Sequence, residues 1–192
     1  MNILVDRLPT ELEVNGVVYK IDPDFRPCLR TILAFEDPDL AVVEKNLIFY
    51  DNLYIERPPD MAAALKMGQW FLNAGKEYEE DNGPRVFSWT QDADLIYAAF
   101  QQTHGVDLQA VDFLHWWRFL ALFMDLGADT AFCSLVGLRR RVKTGKATKE
   151  EKAAAREMGN AFVVPEVDTR TIEERIAERA FMDLMGQGAG NG

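Results

Sequence analysis

The chain has 192 residues, 48% hydrophobic and 27% charged, with 31 acidic side chains against 21 basic ones and a net charge of −10. Such a chain is long enough to bury a sizeable core as one globular domain with, at most, an appendage. Its pI near 4.7 argues against a protein that binds nucleic acid by neutralising phosphates, and two His and two Cys are too few for a disulfide framework or a metal knuckle.

Residues 1–7 lack the basic start and apolar run of a secretory signal. Leu12–Ile21 reads as a β-hairpin, because Asn15-Gly16 suits the two left-handed positions of a type I′ turn and the flanks are β-branched. Asp22 or Asp24 then caps a predicted helix through Leu29, Ile32, Leu33 and Phe35. Pro38 and Asp39 open a second, with Leu40, Val43, Leu47 and Ile48 at helical spacing. Pro58-Pro59-Asp60 precedes a third, whose inward face is Ala63, Met67, Trp70 and Phe71. Residues 76–85 are polar and predict a loop.

A stripe of Leu95, Ile96, Ala99 and Phe100 predicts a helix ended by Gly105. The stretch Val111–Leu126 is apolar almost all round and predicts a central buried helix. Its polar residues interrupt the surrounding apolar run too often for a membrane span. Asp129 can cap the next helix, with Phe132, Leu135 and Val136 inward. Thr148 and Glu151 have capping-box spacing, as do Thr171 and Glu174. The second pair opens an amphipathic helix with Ile172, Ile176, Ala180, Phe181 and Leu184 on one side, and residues 186–192 predict a disordered Gly-rich tail. The expected architecture is mainly α: a helical domain with its hairpin over 1–142, a basic linker and C-terminal helices over 143–185, and the tail.

Catalytic constellations are scarce. Asp112, His115 and Arg118 step by three along the predicted central helix, where an Asp could orient a His for general-base work. A polar seam on an otherwise apolar helix is the preferred reading of them, and no Ser or Cys nucleophile lies nearby in the sequence. Thr144-Gly145-Lys146 lacks the upstream Gly of a phosphate loop, and no His spacing suits a metal. The expectation is a non-enzyme without cofactor or metal.

Two features suggest contact with other proteins instead. Trp116 and Trp117 either bury into flanking helices or leave one, Trp117, at an interface, where Trp is enriched. Residues 139–156 carry eight basic side chains against Glu150 and Glu151, opening with Arg139, Arg140 and Arg141. They form either a solvated loop or a docking patch for an acidic partner; without interleaved aromatics they do not suit nucleic acid. Residues 1–75 carry −5 and residues 76–127 carry −6, against +1 for the remainder, an asymmetry that permits contact between copies.

Asp94-Leu95-Ile96-Tyr97-Ala98-Ala99-Phe100, Gly105-Val106-Asp107-Leu108 and Leu114-His115-Trp116-Trp117-Arg118-Phe119 follow one another. In that order they resemble the gene-product-fifteen family of bacteriophage tail proteins. Leu8-Pro9, Asp24-Phe25-Arg26 and the run from Leu126 to Arg139 are similar too, so the likeness spans roughly 5–142. It implies a tail assembly chaperone that binds the tape measure protein and keeps it soluble, or alternatively a structural tail component retained in the virion. It further implies a helical, self-associating protein of the host cytoplasm, absent from the mature particle, with no catalytic residues. Candidate partner-binding residues are Trp117, Arg139, Arg140, Arg141, Ile172, Ile176, Phe181 and Leu184, with self-association through the last helix or the hairpin edge and no part for membrane or nucleic acid.

Overall fold

The computed structural model describes residues 2–77 and 83–165. The helix expected from Thr171, with Ile172, Ile176, Phe181 and Leu184, and the tail at 186–192 lie outside the described residues.

Strands β1 (Glu11–Val14) and β2 (Val17–Lys20) pair antiparallel, Val14 opposite Val17. Asn15 and Gly16 sit at φ 52° and 80°, the left-handed pair that the turn needs. Leu12 and Val14 point inward while Glu11 and Glu13 face solvent, the alternation of a half-buried strand. A lone hairpin is marginal in water, and this one is fastened at both ends. Asn15 Nδ2 donates to Asp60 Oδ2 at 2.9 Å, and beyond β2 the backbone pairs Ile21 with Tyr54.

Helices α1 (Phe25–Glu36), α2 (Val42–Leu53) and α3 (Met61–Leu72) form a layer with the hairpin. Asp24 caps α1 and Asp60 caps α3, each carboxylate accepting a backbone N–H of the first turn. Helix α2 begins four residues later than Pro38 and Asp39 suggested. Residues 38–41 remain irregular, and the helix starts where Glu44 can reach back to the Ala41 N–H at 2.7 Å. Its buried residues are Phe49, Tyr50 and Leu53, so Val43 and Leu47 face outward instead of into the core. In α1, likewise, Phe25, Cys28 and Thr31 are buried, whereas Leu33 and Phe35 are exposed.

The second layer contains α4 (Ala93–His104), α6 (Ala131–Lys143) and α7 (Lys149–Glu157). Gly105 closes α4 in the left-handed conformation, and Thr148 with Glu151 forms the expected reciprocal box on α7. Thr130, not Asp129, caps α6. Helix α5 (Trp116–Met124) lies between the layers and packs on α1 and α4. It is shorter than the predicted 111–126, because residues 111–115 are drawn out to meet the start of α1. Phe25 N donates to Leu114 O, Trp116 N donates to Pro23 O, and Leu114 N donates to the Asp24 carboxylate. The core is one cluster from Leu12 to Phe132. At its centre the ring of Phe119 stacks on Phe25, Phe100 and Trp116 at 4.9–5.5 Å between centroids.

The turn after α3 allows a first test. Gly75 has φ 73°, and a Cβ there would lie 2.7 Å from the Trp117 ring and 3.2 Å from that of Trp70. A left-handed L-residue and an overpacked ring together should make Gly75→Ala cost about 2–4 kcal/mol in urea denaturation.

Candidate functional site

The residues of the Leu-His-Trp-Trp sequence meet at one junction. His115 is the N-cap of α5: its Nδ1 accepts the Trp117 N–H at 3.1 Å, which leaves the proton on Nε2, 2.9 Å from the Pro9 carbonyl. Trp116 Nε1 donates to Leu72 O and Trp117 Nε1 to Phe71 O, so both indoles satisfy carbonyls at the end of α3. Arg26 reaches from α1 to the Leu108 and Val111 carbonyls. Asp112 precedes α5 and His115 only caps it, so Asp112, His115 and Arg118 do not share one helix and the candidate acid–base triplet is not assembled.

Burial lowers the basicity of His115, and the bond to Pro9 only partly opposes it. Folding therefore favours the neutral ring. That contribution is complete above the ordinary value of 6.5 and is lost as pH falls below it. His115→Asn keeps a capping side chain without the titration. Between about pH 7 and pH 5.5 the urea midpoint of the native chain should fall further than that of the variant; equal slopes would remove His115 from the pH response.

Two of the candidate partner-binding residues are internal. Trp117 is 4% exposed, wedged against Trp70 and Phe71. Arg139 is 1% exposed and forms a bidentate ion pair with Asp92, at 2.6 and 3.1 Å. Its remaining donors go to Val86 O, Ala161 O and Phe162 O, and Asp92 also accepts the Ser88 N–H. Arg139 is thus the clasp that fastens the start of α4, the loop before it and the turn after α7 to α6. A basic run in the sequence hides this, since only its first arginine lies on the inward face with Phe132 and Leu135. Arg140 and Arg141 do lie at the surface, and Arg141 pairs with Glu151 at 2.8 Å.

An open apolar concavity lies elsewhere. A cavity of about 690 Å³ opens between α1, α2 and α3, floored by Thr31, Ile32 and Phe49 and walled by Phe35, Leu65 and Leu72. Lys66 and Glu36 mark its edges. Phe35 stands 41% exposed, edge-on to Phe49 at 6.1 Å, and Val42, Val43 and Leu47 add further exposed apolar surface on α2. The sequence did carry a signal for this surface. Apolar residues surround α2 on more faces than a single core contact can bury. A second exposed apolar pair, Val17 and Val18, lies on β2.

Among the described residues no three His, Cys, Asp or Glu side chains are grouped to hold a metal, and no helix is long and apolar enough to cross a membrane. The model of a family described as bacteriophage Gp15 protein matches residues 4–163. The match runs past the 5–142 likeness, through α7 and the turn held by Arg139. No curated protein and no solved structure matches the chain.

Proposed function

The chain belongs to the bacteriophage Gp15 family, and on that premise we propose that it is a non-enzymatic tail assembly chaperone that binds the tape measure protein and keeps it soluble while the tail is built. The observation that supports this reading is the apolar groove between α1, α2 and α3, with Phe35 on its wall. A groove of this shape suits the apolar face of an amphipathic helix, and a long helical client offers many such faces. Repeated weak seats along it would raise avidity without any one of them being tight. The surplus negative charge of the chain favours solubility of the resulting complex.

Co-expression with the tape measure product of the same genome tests the proposal. The native chain should raise the client's soluble yield and co-purify with it. Phe35→Asp, at a side chain that is already partly solvated, should abolish both effects while leaving the circular dichroism of the chaperone unchanged. No change in client yield with the native chain would end the chaperone reading. Stoichiometric presence in purified virions, seen by mass spectrometry, would replace it with a structural tail component.

A further inference from the structure

On the opposite side of α1 a second groove, of about 360 Å³, runs between α1 and α4. Leu29 and Leu33 of α1 face Trp89, Ala93, Ile96 and Tyr97 across it. Leu33 also lines the next cavity along, between the end of α1 and the loop before α4, and Pro165, the last described residue, lines that same cavity. The position of Pro165 is fixed from behind: Val164 is buried, and the carbonyls of Ala161 and Phe162 are held by Arg139. The chain therefore leaves the described body at the mouth of the α1–α4 groove.

We propose that this groove is the seat of the chain's own segment 172–184, docked within the same molecule as an amphipathic helix. The dimensions agree. A helix from Ile172 to Leu184 would be about 20 Å long, and the 12 residues of α1 give it a wall of about 18 Å. Residues 166–171 can span up to about 20 Å, more than enough to bring Ile172 from Pro165 into the groove. The apolar stripe of Ile172, Ile176, Ala180, Phe181 and Leu184 supplies cover for Leu29 and Leu33, which are partly exposed above the buried Ile96. Charge agrees as well: residues 166–184 carry six acidic side chains and three basic ones, and Arg30 lines the groove beside Arg26, which is itself paired with Asp24. Arg30 is exposed and makes no ion pair among the described residues. A six-residue tether holds the segment at a local concentration in the millimolar range, so a second copy at micromolar concentration competes poorly for the same seat. This seat is separate from the α1–α2–α3 groove and does not depend on what binds there.

The intact chain carrying p-benzoylphenylalanine in place of Leu33 provides the test. Light and heavy isotopic forms are mixed and irradiated across a range of about 1 to 100 μM, well below the effective concentration of the tether. Cross-links from position 33 to peptides of 172–184 should join light to light and heavy to heavy, with a yield independent of concentration. Ile176→Asp with Phe181→Asp should lower that yield at least about tenfold, since each change removes an apolar side chain from the docked face. Both changes lie beyond the described body, which should stay folded, so the circular dichroism of the chain should lose no more than the share of the undocked segment 172–184. Mixed light–heavy cross-links that rise with concentration would overturn the proposal in favour of a second copy. Absence of 172–184 from the cross-links, or a yield untouched by the two substitutions, would overturn it outright.

Discussion

Arg139→Met is expected to destabilise the fold by about 3–5 kcal/mol, because it leaves the Asp92 carboxylate buried without its cation. The three carbonyls of Val86, Ala161 and Phe162 lose their donors in the same stroke. Arg140→Ala and Arg141→Ala, one and two residues further on, should cost no more than about 1 kcal/mol each, since the Arg141–Glu151 pair is solvated. Urea denaturation followed by circular dichroism separates the three variants. Adding Asp92→Leu to Arg139→Met should recover part of the loss, as removing both ends of a buried pair is cheaper than removing one. A loss below about 1 kcal/mol for Arg139→Met would mean that water already reaches the clasp. The series also guards against a misreading. In the proposed client assay, a loss with an Arg139 variant would report a loosened second layer, whereas the same loss with Arg140→Ala would report a surface contact.

Trp117→Ala should cost a similar amount, about 3–5 kcal/mol, for the cavity left between Trp70, Phe71 and His115. Trp117→Phe divides that cost. It retains most of the packing but removes the indole N–H from the Phe71 carbonyl, 2.7 Å away, and should cost about 1–3 kcal/mol. If both variants were as stable as the native chain and only partner binding fell, Trp117 would have to be an interface residue despite its burial.

Local chemistry was legible wherever neighbours in sequence are also partners in space. The Asn15-Gly16 turn, the Asp24 and Asp60 caps, Gly105 and the Thr148–Glu151 box all behave as their residue types require. The errors fall where a distant partner overrides local preference. Residues 111–115 are apolar enough for a helix, yet Asp24 and Phe25, some 90 positions earlier, draw them out into a backbone bridge. The outward placement of Val43 and Leu47 depends on which side of α2 meets α1 and α3, and that information is absent from the periodicity of α2 itself. Arg139 is indistinguishable in sequence from its basic neighbours because its anion, Asp92, lies 47 positions away. The groove between α1, α2 and α3 is likewise a property of how three helices meet.

The clasp also has an order in time. A chain is synthesised from its amino end, and the acceptors of Arg139 lie on both sides of it: Val86 and Asp92 before, Ala161 and Phe162 after. While the turn at 161–162 is still on the ribosome, Arg139 can reach its carboxylate but cannot satisfy all of its donors. The clasp of the second layer therefore has its full set of acceptors only once Phe162 has left the ribosome. A chain ending between positions 143 and 160 would keep the Arg139 bonds to Val86 and Asp92 but lose those to Ala161 and Phe162, leaving two donors of a buried guanidinium without their partners.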